Sequence, residues 1–148
     1  MRTNELKLRD VEDGDCRDLY EWRNHPLVRK NSFNTDVVSF DKHQKWFKKK
    51  KRSSETTIYI GCYEGRKAGV IRFEDEMGDV KVNVMLNPDY IGKGFGTRLI
   101  ALGVKKFKQE KKTGKAIIAE IKESNDASKK AFEKAGFKKS HLTYVFES

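Results

Sequence analysis

The run Asn87-Pro-Asp-Tyr-Ile-Gly-Lys-Gly-Phe-Gly-Thr97 has the residue types and spacing to hold an anion. Gly92, Gly94 and Gly96 let the main chain take positive φ and come close to a ligand. A helix that opens directly behind them presents unpaired N–H groups and the positive end of its dipole, both of which favour phosphate. The chemistry implied is the binding of a phosphorylated cofactor. Glycines that merely ease a helix entry are the plainer alternative. Cys16 and Cys62 lie far apart and match no metal or redox spacing, so two reduced thiols and no metal are expected.

The elements that must position this loop follow from periodicity. Val80–Leu86 alternates apolar and polar residues and enters the loop as a strand; residues 95–111 repeat apolar positions at Phe95, Leu99, Leu102 and Phe107 and leave it as a helix. Upstream, Leu6–Val11 reads as a first strand. A short helix over Asp15–Asn24 is closed by the His25-Pro26 break. Ser39–Lys50 forms a second helix with Phe40, His43, Trp46 and Phe47 on one stripe. Thr57–Tyr63, Gly69–Glu74 and Val80–Leu86 make an antiparallel meander.

Downstream, Thr113-Gly114 stops the long helix and Ala116–Ile121 is a short apolar strand, parallel to Val80–Leu86 because a helix connects the two. Ser124–Ala135 is a last helix with Gly136 as its stop. Phe137–Lys139 and Tyr144–Phe146 suit a closing hairpin. This order gives an α+β (mixed α/β) fold with a central mixed, mainly antiparallel sheet flanked by helices.

The bulk numbers agree. At 148 residues, residues 1–148 are expected to form one domain. No apolar run is long enough to span a membrane, and the N-terminus lacks the apolar core of a signal peptide, so a cytoplasmic protein is expected. The formal charge of +10 points to anionic partners. Its densest part, Lys48-Lys-Lys-Lys-Arg52, is better read as a solvated helix end than as a nucleic-acid patch. No Arg/Gly-rich tail or aromatic RNA-binding signature accompanies it, so nucleic acid is disfavoured as partner.

The element order, the glycine loop and the segment Ser124–Phe137 together resemble the GNAT superfamily of acyl-CoA N-acyltransferases. That family's phosphate loop reads Arg/Gln-x-x-Gly-x-Gly/Ala; Gly94 and Gly96 match, while Ile91 stands where Arg or Gln is usual. Its later signature is met by Asn125, Glu133, Lys134, Gly136 and Phe137. The N-terminal third, with Glu21-Trp-Arg-Asn-His-Pro26, Val28-Arg29, Ser39–His43 and Trp46-Phe47, is similar to the N-acetyltransferases of pseudaminic acid biosynthesis. Less closely, it is similar to ribosomal-protein N-terminal acetyltransferases.

The resemblance implies the GNAT fold and acetyl-CoA as co-substrate. Its pyrophosphate is expected on the N–H groups of Lys93, Gly94, Phe95, Gly96 and Thr97, with Ile91 and Gly92 in the same loop and Lys93 and Arg98 adding charge. The pantetheine arm is expected along the edge of Val84–Leu86, where a main-chain N–H near Met85 and Leu86 faces the thioester oxygen. Asn125, Ser128 and Phe132 fall at further CoA contacts. Glu120 stands where several members of the family carry the general base; an ordinary solvated strand residue is the alternative. The family's usual acid, a Tyr seven residues after the Asn, is replaced here by Phe132, which cannot donate a proton. Ser128, Tyr90 and Tyr144 are the candidates left.

For the acceptor, Trp22, Arg23, Asn24, Phe33 and His43 are the expected contacts, since an Arg and an aromatic ring suit a nucleotide diphosphate. Trp22 and His43 fit a core equally well. Glu74 and Asn83 are further candidates from the central strands. The activity expected is acetyl transfer to the primary amine of a nucleotide-linked amino sugar. Two alternatives are carried: a protein N-terminal acetyltransferase of ribosomal-protein type, and a non-catalytic CoA- or nucleic-acid-binding module. A polyamine acceptor is disfavoured by the charge, and a homodimer is left open.

Overall fold

A computed structural model describes residues 5–140. Five strands form one sheet in the order β1 (Leu6–Asp10), β2 (Thr56–Tyr63), β3 (Arg66–Asp75), β4 (Val80–Leu86) and β5 (Ile117–Ile118). β1 to β4 are antiparallel, while β5 lies parallel to β4. This is the mixed, mainly antiparallel sheet expected. Helices α1 (Cys16–Asn24), α2 (Pro26–Arg29) and α3 (Phe40–Arg52) precede β2; α4 (Phe95–Lys111) joins β4 to β5, and α5 (Asp126–Lys134) follows.

The sheet is buried on both faces, which is why β2 reads as a continuous apolar run rather than an alternation. Ile58 and Ile60 face α1 and α3, packing with Leu19, Trp22, Phe47 and Val70. Tyr59 faces the other way, into a larger cluster with Ile71, Phe73, Val80, Leu99, Ile100 and Phe107. Helix α4 sits close on the sheet because Gly103 has no side chain; a Cβ there would lie 2.7 Å from Ile71 Cδ1. No helix among the described residues is long and apolar enough to cross a membrane.

Three elements differ from expectation. The break closes α1 at Asn24 as expected, but Pro26 does not start a loop. It opens the one-turn α2, where a missing N–H costs nothing, and His25 Nδ1 accepts the Leu27 N–H at 3.1 Å. The strand expected over Ala116–Ile121 is paired only at Ile117 and Ile118, against Val80 and Lys81, because the two strands part beyond that point. Phe137–Lys139 forms no strand. Instead the Phe137 and Gly136 N–H groups bond back to the Phe132 and Glu133 carbonyls, with Gly136 at φ +106°, and Phe137 packs edge-on against Phe132. That is a left-handed helix stop sealed by an apolar contact. Tyr144–Phe146 lies outside the described residues.

Candidate active site

A cleft of about 1180 Å³ runs between the parted ends of β4 and β5, the first turns of α4 and α5, and the α1–α3 side of the sheet. Its first third is the glycine loop. Asn87 shapes the entry, its Oδ1 accepting the Asp89 N–H and its Nδ2 donating to the Lys67 carbonyl. Gly92 and Gly94 both take left-handed φ, +82° and +84°. Gly94 caps α4 without a side chain, so the first-turn N–H groups of a 17-residue helix have no side-chain cap bond. Met85, Leu86, Ile91, Gly92, Gly94, Gly96 and Thr97 all line the cleft. Lys93 and Phe95 do not. Phe95 is buried against Tyr63 and Tyr90, so its side chain anchors the loop from behind. Tyr90 is buried in the same cluster and is not on the cleft wall.

A Cβ at Gly94 meets nothing within 4 Å, so the cost of a side chain there is backbone strain alone. Gly94→Ala is expected to lose about 1–2 kcal/mol, read as a fall in Tm of a few degrees. Gly114→Ala, at a position equally open but not left-handed, serves as the neutral control.

Beyond Lys81 the second edge of β4 has no partner strand among the described residues, and Asn83, Val84, Met85 and Leu86 reach the cleft. Ala119 and Ile121 pack against the core, Ile121 also reaching the cleft, and Glu120 between them lies on the cleft wall. Its Oε2 lies 3.4 Å from Lys81 Nζ. Burial pulls the Lys81 ammonium down, but the charges of Glu120 and Glu76 outweigh it and raise its pKa. Facing Glu120's segment, Asn125 caps α5: its Oδ1 accepts the Ser128 N–H at 3.1 Å and its Nδ2 donates to Ser128 Oγ at 3.0 Å. Capping and a place on the cleft wall coincide at Asn125 and Ser128. Phe132, one turn on, is mostly buried but reaches the same wall.

The far third of the cleft is built by α1, α2, the segment 30–38 and α3. Trp22, expected as a substrate contact, belongs to the core with Leu19 and Phe47 and is absent from the wall. Asn24 is likewise spent on structure: its Nδ2 donates to the Val38 carbonyl at 2.7 Å and its Oδ1 accepts the Val38 N–H at 2.8 Å. Arg23 does reach the cleft. Its Nη2 donates to the Asn34 carbonyl at 2.7 Å, while Nη1 is buried with no hydrogen-bond partner among the described residues. Burial, with Arg29 close by, lowers its pKa. Arg23 thus stands on the wall with one guanidinium nitrogen buried behind it and unmet.

Phe33 is 68% exposed at the mouth, offering a bare ring face. His43 is both core and wall. It stacks near Trp46 and Phe47, and its Nε2 lies 3.1 Å from the Cys16 carbonyl, which can only accept, so Nε2 carries the proton. Burial pushes the imidazole below its usual range. Glu74 is not on the wall. Burial would raise its pKa, but Lys50 at 2.8 Å and Arg72 at 2.6 Å hold it below the usual range.

The wall carries residues that sequence reasoning did not single out: Lys30, Lys42, Trp46, Arg72 and Lys122. Arg72 lies 5.0 Å above the Trp46 ring. Alternation along β3 points Arg72 away from Ile71, a usable signal; nothing local marks Lys122, whose Nζ donates to Lys30 across the mouth.

The acetyltransferase (GNAT) domain model matches residues 5–138. The chain belongs to the GNAT acetyltransferase family. It is therefore an N-acetyltransferase. No curated protein matched the sequence. Among solved structures, the aminoglycoside acetyltransferase AAC(6')-Ib with coenzyme A and kanamycin superposes with TM-score 0.79 at 22% identity, over 92% of this GNAT chain and 86% of that one. Spermidine N-acetyltransferase from Vibrio cholerae, with CoA and spermine, gives 0.81 at 19%, over 91% and 82%. A domain from Methanocaldococcus jannaschii gives 0.78 at 24%, over 92% and 90%. At these identities the likeness is one of GNAT fold.

Proposed function

We propose that this GNAT protein moves an acetyl group from acetyl-CoA to the primary amine of a nucleotide-linked amino sugar of the UDP-4-amino-4,6-dideoxy type. The observation that carries the acceptor class is the charge of the cleft. Seven basic side chains line it against two acidic ones, Glu120 and Asp126. A polycationic amine would meet repulsion there, whereas a diphosphate would be drawn in. The Arg23 guanidinium offers it a charged donor and Phe33 offers a base a stacking face.

The donor side fits the open N–H groups of α4 and the unpaired edge of β4. Lys93 to Thr97 receive the pyrophosphate by main-chain N–H groups, and residues 84–86 pair with the pantetheine amides like an added strand. Bound acetyl-CoA supplies an activated acyl group whose sulfur is a fair leaving group. A main-chain N–H near Leu86 bonds the thioester oxygen as negative charge builds on it. Glu120 takes a proton from the acceptor ammonium, freeing the nitrogen lone pair for direct attack. Ser128 Oγ accepts from Asn125, which leaves the hydroxyl proton to pass to the departing sulfur, and the second proton that the acceptor nitrogen sheds on becoming an amide restores the hydroxyl. Phe132 fills the place of a tyrosine acid with an inert ring.

Thiol release from acetyl-CoA tests the acceptor class, with a UDP-linked amino sugar, an N-terminal peptide and spermidine offered in turn. Turnover with the peptide alone would replace the sugar by the protein N-terminal reading. Turnover with none, together with salt-sensitive oligonucleotide binding, would make the chain a binding module. Arg23→Gln is expected to raise the KM of the nucleotide-linked amine about 10- to 100-fold, the worth of about 1.5–3 kcal/mol of charged hydrogen bonding. The same change leaves the KM of the phosphate-free amino sugar alone.

A further inference from the structure

Glu120 has little to hold it. Among the described residues its strand is paired only at Ile117 and Ile118, and the next main-chain bond downstream is that of the Asn125 N–H to the Lys122 carbonyl. Yet a base must stay within hydrogen-bond reach of the proton it removes, and a displacement of one ångström costs rate steeply. Two lysines brace this segment from opposite sides. Lys81, on β4, brings Nζ to 3.4 Å from Glu120 Oε2. Lys122 sends Nζ across the mouth of the cleft to the Lys30 carbonyl, 3.0 Å away and 92 positions earlier in the chain.

The far anchor is itself stiff. Arg29 Nε donates to the Thr35 carbonyl and its Nη1 to the Asn24 carbonyl, Arg23 holds Asn34, and Asn24 clamps Val38 from both sides. The residues that the sequence offered as substrate contacts thus also make a rigid wall, and Lys122 fastens Glu120's segment to it.

The geometry points to Lys81 and Lys122 as positioning residues for the Glu120 carboxylate, Lys122 acting by tying that segment to the acceptor wall. This rests on Glu120 being the base. Lys122→Met and Lys81→Met each lower kcat about 10- to 100-fold with the KM of acetyl-CoA unchanged, and arginine at either position restores most of the rate. In a Glu120→Gln background the same lysine changes cost nothing further, because the carboxylate they hold is gone.

Acetyl-CoA titration and a thermal melt establish that each variant is folded, and Lys122→Gln serves where the Met variant is not. Full activity in the single lysine variants overturns the brace while leaving the base in place. Equal losses with and without Glu120 also overturn it, since the lysines then act elsewhere. If Glu120→Gln alone keeps wild-type kcat, the base reading itself fails and the brace fails with it.

Discussion

Glu120→Gln lowers kcat by about 10²- to 10⁴-fold, the range of a lost general base, while acetyl-CoA binds as before. The separation follows from the layout of the cleft. The cofactor-side donors are main-chain N–H groups of the glycine loop and the far end of β4, whereas Glu120 stands on the segment beyond β5 and meets β4 through the Lys81 side chain at its other end. The amide keeps the size of the side chain and its fit between Ala119 and Ile121, so Tm barely moves. The pH–rate profile is the sharper readout. An unchanged profile would remove Glu120 from the mechanism.

The largest stability loss is expected at a residue outside the cleft. Asp15 is 1% exposed and accepts four bonds: two from the Arg9 guanidinium at 2.9 Å, one from Lys67 at 2.8 Å and one from the Glu12 N–H at 2.8 Å. It ties β1 and β3 to the start of α1. Asp15→Ala leaves two cations facing each other around a hole and is expected to cost about 3–5 kcal/mol, read by urea titration at neutral pH. The pH dependence has a definite sign. Burial would raise the Asp15 pKa, but the bonds from Arg9 and Lys67 outweigh it and hold the carboxyl well below its usual range. Its contribution is therefore complete above the unfolded carboxyl value of about 4 and drains away as pH falls below it. Wild type and Asp15→Ala should converge in stability on the acid side. A constant gap down to pH 2 would mean that Asp15 acts by packing alone.

Parts of the site were legible because the physics behind them is local. Positive φ at Gly92 and Gly94 follows from residue type, and a helix period of 3.6 set α4 at Phe95–Lys111 as observed. The Asn125 cap and the Gly136 stop are one-turn interactions, readable from their spacing. Glu120 was legible only through the resemblance, and it does lie on the cleft wall. Other positions failed for the opposite reason. Trp22, Arg23 and Asn24 are adjacent in sequence, yet one goes to the core, one to the cleft and one to a main-chain clamp 14 residues away.

By itself, then, the sequence determined the order of elements, the anion cradle at the entry of α4 and the GNAT type of the chain, since each is read from segments whose own residues lie within a turn or two of one another. The tertiary structure alone decided where β4 and β5 part, which of the α1 side chains meet the cleft, and that Lys81 and Lys122 flank Glu120. Those depend on strand register and on contacts between residues up to 92 positions apart. Long-range pairing of that kind leaves no periodic mark in the chain, because it is set by how whole faces pack rather than by neighbouring residues.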